Sequence, residues 1–245
     1  MKSFRMTRRW SAAAILALTF STSGARADLV TNGGFEFGLS GWTREDQLGS
    51  EGSFLLQTGV SSPVNGFPVP APPEGTRAAM TDAQGPGSHV MYQDIVIPVG
   101  ATLYYLQFKL HVNNQAGVFF VPGTAGLDFA TPALNQQARV DLLRQGAGAF
   151  SVAAADVVFN AFRTNVGDTF GNNYFDVIRV VDLTGLGGQT LRLRFAEVDN
   201  VAPFNFGVDS VSLSAVPEPS PIALSVIGAG LVVLTRWRAS RKSAD

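Results

Sequence analysis

The sequence contains no cysteine, which excludes disulfide bonds, cysteine nucleophiles and zinc–thiolate sites. Histidine is scarce as well: His89 and His111 both fall on predicted strands, where a hydrogen-bonded structural role is favoured over catalysis. The chain also lacks the G-x-S-x-G elbow, the H-E-x-x-H helix, the phosphate loop and the dinucleotide fingerprint. These absences argue against the common hydrolase, metalloprotease and nucleotide-binding classes.

Few stretches are apolar enough to enter a membrane, and they lie at the two ends of the chain. At the front, four basic residues and no acid in positions 1–9 precede an apolar run from Trp10 to Phe20, which is short for a membrane span. Small residues then form an A-x-A pattern at 25–27. We therefore predict a signal peptide over 1–27, with an N-terminal membrane anchor as the alternative.

At the other end a proline motif, an apolar segment and a basic tail follow one another. The motif comprises Pro217, Glu218 and Pro219, and the tail carries Arg236, Arg238, Arg241 and Lys242. The uncharged segment between them, 222–234, covers about 20 Å as a helix, against a hydrocarbon core of roughly 30 Å. Such an anchor needs snorkelling basic residues or local bilayer thinning. Because positive charge beside an apolar segment stays cytoplasmic, the preceding domain is predicted to lie outside.

This order of features over 216–245 resembles the PEP-CTERM sorting signal. The resemblance implies an exosortase, a membrane-embedded transpeptidase-like enzyme, as a partner beside the signal peptidase. It also implies a Gram-negative host that makes exopolysaccharide. The chain is then anchored transiently in the inner membrane through its C-terminal helix, before it reaches the cell surface or the extracellular matrix. An ordinary tail anchor is the alternative.

The exported part is strongly acidic. Between Asp28 and Val216 there are 9 basic and 17 acidic residues, a net charge of −8, whereas the whole chain carries −1. Such a domain does not favour nucleic acid or an anionic membrane surface. It does suit calcium, which prefers oxygen ligands and is plentiful outside cells.

Apolar and polar residues alternate with the period of strands throughout 28–215, and glycine and proline punctuate the gaps. The predicted strands are 54–58, 78–81, 90–97, 106–112, 138–144, 152–159, 177–183, 191–195 and 206–213. Short strands separated by turns predict one all-β domain, an antiparallel β-sandwich or jelly roll. In the last strand Phe206 and Val208 share one parity and Val211 and Leu213 the other, so a β-bulge is expected near Asp209.

The opening segment Asn-Gly-Gly-Phe-Glu at 32–36 and the closing strand Phe-Gly-Val-Asp-Ser-Val-Ser-Leu at 206–213 resemble the galactose-binding-domain-like jelly rolls, a group with many carbohydrate-binding modules. The resemblance implies that the two segments lie side by side with a structural calcium between them. It nominates Glu36 and Asp209 as calcium ligands, with Asp199 and Asn200 as weaker candidates. A solvated acid at Glu36 and a capped turn at Asp209 are the alternatives.

Aromatic rings are the usual platforms for sugars. In the exported part Trp42 is the one tryptophan, and its position after a glycine favours a core role. Adjacent Tyr104 and Tyr105 lie on a predicted strand, so they point to opposite faces and one of them is exposed. Both tyrosines are therefore candidate carbohydrate-binding residues.

Three functions remain open. The favoured one is a non-catalytic envelope or matrix protein that associates with exopolysaccharide. The second is a structural component that contacts other proteins through Phe119, Phe120 and the proline-rich loop 62–75. The least favoured is a glycan hydrolase with an unrecognised carboxylate pair, since an acidic domain offers many pairs whose separation the sequence does not fix.

Overall fold

Ten strands and no helix make up the part of the chain that the computed structural model describes, residues 27–63, 65–82, 85–123 and 126–217. The strands are β1 (Thr43–Asp46), β2 (Ser53–Thr58), β3 (Arg77–Asp82), β4 (Gly87–Val96), β5 (Leu103–Asn114), β6 (Gln136–Arg144), β7 (Val157–Arg163), β8 (Phe175–Asp182), β9 (Thr190–Asp199) and β10 (Phe204–Ala215). No helix long and apolar enough to cross a membrane occurs in these ranges.

The strands form two five-stranded antiparallel sheets. The first sheet has the order β1-β4-β9-β6-β7, and the second has the order β2-β3-β10-β5-β8. The prediction of an all-β antiparallel sandwich is therefore confirmed. Most neighbouring strands are distant in sequence, so the turns alone do not specify the sheet order.

The core lies between the sheets and follows from strand alternation. Leu106, Phe108 and Leu110 of β5 all point inward and are buried. The Phe195 ring of β9 meets Phe108 edge-on at 5.5 Å between ring centroids and Trp42 at 5.8 Å. Trp42 is thus a core residue, as its sequence position indicates.

The last strand contains the expected bulge. The pairing of β10 with β5 shifts register between Asp209 and Ser212. Ser210 sits inside the shift with a φ of 53°, a left-handed conformation that non-glycine residues rarely adopt. Because of this shift, residues of both parities reach the core. Val208 and Val211 are both buried.

The segment before β1 runs alongside β10, as the resemblance to galactose-binding domains implies. The Leu29 amide donates to the Leu213 carbonyl at 2.9 Å, and the Val211 amide donates to the Gly33 carbonyl at 3.0 Å. A Cβ at position 33 would lie 1.9 Å from the Val211 carbonyl oxygen, so only glycine fits there. Both sheets and this segment belong to one unit, Arg26–Val216.

The predictions for the two ends fall outside the described residues. They are the signal peptide over 1–27 (only Ala27 is described), the motif residues Glu218 and Pro219, the apolar helix 222–234 and the basic tail. Pro217 is the last residue described.

Candidate ligand-binding face

An exposed, partly apolar surface covers the outer side of β5 and β8 in the second sheet. Tyr105 pairs with Val180, and Gln107 pairs with Ile178 on the adjacent strand. The side chains of Tyr105, Ile178 and Val180 are 36%, 57% and 55% exposed. We call this surface, with Gln107 and the neighbouring Ser214, the β5–β8 face.

Polar groups border the apolar part of this face. Ser214 of β10 lies opposite Tyr105. At one end, Lys109 donates to Asp176 at 2.5 Å, and both side chains are exposed enough to meet solvent. A ring with hydrogen-bonding neighbours matches a sugar, which has an apolar face and hydroxyl groups at its edge.

The structure separates the two candidate tyrosines. Tyr104 is fully buried, and its hydroxyl donates to the Pro98 carbonyl at 3.3 Å. It cannot stack on a ligand and is excluded as a platform, because its parity on β5 is that of the core residues Leu106 and Phe108. Tyr105, on the opposite parity, remains the candidate.

Further along the outer side of the second sheet, a buried polar group lies under loops. The Tyr174 hydroxyl donates to Oε1 of Gln57 at 2.7 Å, and the Gln57 amide donates to the Pro70 carbonyl at 2.7 Å. The His111 ring lies 5.6 Å from the Tyr174 ring. A Cβ on Gly207 would come within 2.6 Å of the Tyr174 hydroxyl, so a glycine is required beneath it.

Burial controls the protonation of this group. It lowers the pKa of His111 to about 4, opposed by the backbone of Asn173, so the imidazole is neutral. It raises the pKa of Tyr174, and the charge of Asp209 adds to that effect. No sequence pattern indicates this group, because Gln57 and Tyr174 are 117 residues apart and neither belongs to a motif.

Glu36, a predicted calcium ligand, stabilises the start of β3. Its Oε1 accepts the amides of Thr76 at 2.8 Å and Arg77 at 2.9 Å, and its Oε2 accepts the Thr76 hydroxyl at 3.1 Å. The amide of Thr76 is the main reason that the pKa of Glu36 is lowered. The carboxylate therefore acts as a cap on this turn.

Asp209, the second predicted ligand, is buried beside the bulge. Its Oδ1 accepts the Ser210 amide at 2.7 Å, and its Oδ2 accepts the Glu74 amide at 3.1 Å. Burial raises the pKa of Asp209 to about 6, and the charges of Glu74 and Glu36 act in the same direction. The structure thus brings Glu36 near enough to Asp209 for the two charges to interact.

All four carboxylate oxygens of Glu36 and Asp209 accept hydrogen bonds within the protein. Asn200 is used elsewhere, since its side-chain amide donates to the Ala133 carbonyl at 2.9 Å. Asp199 lies on β9, in a different group. Calcium stays a prediction of the resemblance, tested by calorimetry with calcium and with a chelator.

No protein-family model matches the chain, and no curated protein matches it. The chain resembles carbohydrate-binding-module-like β-sandwiches. One of these is TmCBM61 in complex with β-1,4-galactotriose, at 13% identity over 78% of this chain and 99% of that one, with a TM-score of 0.46.

Two other similar solved structures are enzymes by their descriptions. The enzymatically active domain of tailspike protein 4 from bacteriophage CBA120 is 15% identical over 77% of this chain, with a TM-score of 0.47. This chain spans only 21% of that one. A Stig cyclase from Fischerella sp. TAU is 15% identical over 80% of this chain and 100% of its own, with a TM-score of 0.46. Likenesses this distant assign no ligand and no active site to this β-sandwich.

The residues expected to contact other proteins are partly buried. Phe119 is only 3% exposed, and its ring packs against Phe170 at 5.7 Å and Phe204 at 5.8 Å between centroids. In the proline-rich loop Val69 is buried as well. Phe119 and Val69 therefore fill the fold, whereas Phe120 is half-buried and Phe67 of the loop is 37% exposed.

Proposed function

We propose that this chain is a non-catalytic, exported envelope or matrix protein that binds exopolysaccharide or another glycan through the β5–β8 face. The observation that carries the proposal is the exposed Tyr105 ring beside Val180 and Ile178, with Gln107 and Ser214 as hydrogen-bonding neighbours. A sugar ring stacks on such a surface while its hydroxyls bond to the polar groups.

The acids near this face support binding over catalysis. Asp176 pairs with Lys109. Asp182 accepts the side chain and the backbone amide of Thr184, which lower its pKa. A general acid in glycoside hydrolysis needs the opposite shift.

Delivery is proposed from the ends of the sequence. A signal peptidase removes 1–27, and an exosortase reads the Pro-Glu-Pro signal while the C-terminal helix holds the chain in the inner membrane. Intact mass and membrane fractionation of the protein from its own host test both processing events. A reporter fused within 28–216 that is active only in the cytosol would contradict export.

A glycan array on residues 28–216 tests the binding face. We expect Tyr105→Ala to weaken glycan binding roughly tenfold, because one stacking contact is lost. Phe37→Ala is the matched control, since Phe37 is an aromatic residue 81% exposed in the loop before β1. We expect this control to bind like the wild type.

Three results would argue against the proposal. Equal binding by Tyr105→Ala and the wild type removes the β5–β8 face as the site. The absence of any glycan ligand favours the structural, protein-contacting role. Release of reducing sugar from the host polysaccharide favours a hydrolase.

A further inference from the structure

Three side chains of metal-ligating types meet at one end of the first sheet. His89 of β4 lies opposite Glu197 of β9, and Gly87 lies opposite Asp199. The ligand atoms of His89, Glu197 and Asp199 all lie within 4.8 Å of one another, and the three residues are buried. Within the described ranges, this is the one set of three or more histidine and acidic side chains that close together.

Strand alternation aims the three side chains into the sandwich. His89 shares its parity with Met91, and Glu197 shares its parity with Phe195, and both of these apolar residues belong to the core. Together the three side chains offer an imidazole nitrogen and carboxylate oxygens, a donor set that divalent transition-metal ions use. A cleft of about 250 Å³ borders Asp199.

The contacts of His89 point to a cation beside its Nε2 atom. Nδ1 lies 2.8 Å from Oδ1 of Asp46, which accepts a proton when ionised, so a neutral imidazole with its proton on Nδ1 would present the lone pair of Nε2. Nε2 lies 3.0 Å from the Glu51 carbonyl oxygen, which is also an acceptor. At this distance Nε2 and the carbonyl oxygen need either a proton on Nε2 or a metal ion bonded to both. Neighbouring donors on one metal, bonded at about 2.0–2.3 Å, stand about 3 Å apart.

Gly87 lets the backbone pack closely against these two atoms. A Cβ on residue 87 would lie 2.3 Å from Nε2 of His89 and 3.0 Å from the Glu51 carbonyl oxygen. The φ of Gly87 is not in the left-handed region, so the backbone does not require a glycine here. The close approach of the His89 ring does.

We propose that His89, Glu197 and Asp199 bind a divalent transition-metal ion such as Zn²⁺ or Mn²⁺, with the Glu51 carbonyl as a further ligand. An imidazole with two carboxylates suits these ions, whereas calcium prefers an all-oxygen shell. Asp46 acts as the positioning residue, because a carboxylate on the second ring nitrogen fixes the tautomer of a metal-ligating histidine. The ion ties β4 and β9 to the loop after β1.

The test uses the untagged full chain, stripped with EDTA and dialysed, in titration calorimetry with Zn²⁺, Mn²⁺ or Ca²⁺. We expect one Zn²⁺ or Mn²⁺ per chain, weaker binding of Ca²⁺, and a Tm rise of roughly 5–10 °C at a hundredfold excess over Kd. Failure of the stripped wild type to bind Zn²⁺ or Mn²⁺ overturns the proposal. Ring ¹⁵N shifts of a doubly protonated His89 in the presence of Zn²⁺ overturn it too, because a proton then joins the two acceptors.

Variants assign the ion to these residues. Glu197→Gln keeps the shape but removes a ligand charge, and we expect at least about a hundredfold weaker binding. Where circular dichroism shows that this variant does not fold, Asp46→Asn carries the test with about 10–100-fold weaker binding. Asp46 is 36% exposed, so its loss is tolerated. Asp94→Asn is the matched control, since Asp94 lies on the same strand as His89 but its exposed side chain pairs with Arg192, and it is expected to bind normally. Normal binding by Asp46→Asn, or loss of binding in the control alone, contradicts the assignment.

Discussion

At the scale of single residues, Asp209 and His111 are two buried groups whose ionisation the fold opposes. Burial raises the pKa of Asp209 to about 6 and lowers the pKa of His111 to about 4. Between these values the folded chain keeps a proton on Asp209 and none on His111. The unfolded chain, with ordinary pKa values, does the opposite at both residues.

The two shifts change stability in opposite directions. At Asp209 the unfolded chain binds fewer protons, so this contribution falls as pH rises from 3.8 to about 6. At His111 the unfolded chain binds more protons, so that contribution is present above pH 6.5 and is lost as pH falls towards about 4. In the wild type the two effects largely cancel.

We therefore expect Asp209→Asn to reveal the effect of His111. Its free energy of unfolding should rise by roughly 3 kcal/mol across the window in which His111 titrates, more steeply than that of the wild type. His111→Gln should show the opposite slope. Urea denaturation across this pH range measures both, and equal slopes in all three proteins would contradict the prediction.

Asp141 and Arg194 form an ion pair in which both side chains are fully buried. Burial alone raises the pKa of Asp141, but Arg139 and Arg194 outweigh it and hold the pKa below its usual value. Arg194 also donates to the Ala149 carbonyl at 2.7 Å, so the pair fastens a loop to the first sheet. Asp141→Asn leaves the buried Arg194 without a carboxylate.

We expect Asp141→Asn to lower the free energy of unfolding by about 3–5 kcal/mol. Asp94→Asn is the matched control, because Asp94 also binds an arginine, Arg192, at 2.8 Å but lies at the surface. Its loss should cost about 0–1 kcal/mol. Guanidinium denaturation compares the two, and similar losses would show that burial is not the deciding factor.

At the scale of elements, the segment before β1 depends on one glycine. We expect Gly33→Ala to reduce the free energy of unfolding by at least about 2 kcal/mol, because the new Cβ meets a backbone carbonyl that cannot move aside. Gly148→Ala is the control, since nothing lies within 4 Å of a Cβ there. Thermal melts of both variants measure the difference, and equal Tm values would refute the close contact.

Two elements show where local pattern fails. β1 (Thr43–Asp46) is exposed along its whole length and has no apolar alternation, so only its pairing with β4 makes it a strand. The predicted strand 152–159 begins too early, because β7 starts at Val157. Val152 instead packs on the outer side of the first sheet, against a cluster that contains Val90 and Leu127. It is apolar because it covers a face of the sheet, and it does not belong to a strand.

At the scale of the whole molecule, both sheets share a single interior within Arg26–Val216. Since β9 and β10 are central in their sheets and pair with strands far away in sequence, neither sheet is complete without distant parts of the chain. We expect residues 28–216 to unfold in one cooperative transition, with equal calorimetric and van't Hoff enthalpies. Two separate transitions would show that the sheets fold independently.

The sequence by itself determined the features that depend on neighbours along the chain. Alternation located the strands and placed Tyr104 and Tyr105 on opposite faces, and the change of parity located the bulge at Asp209. These patterns are local, because a strand sends alternate side chains to opposite sides wherever it lies.

Only the tertiary structure decided which tyrosine is exposed and which distant side chains meet. Tyr174 reaches Gln57, and His89 joins Glu197 and Asp199, through strand pairings that span most of the chain. The order of strands in a sheet arises from packing the whole core. A linear pattern therefore does not encode which polar groups end up together.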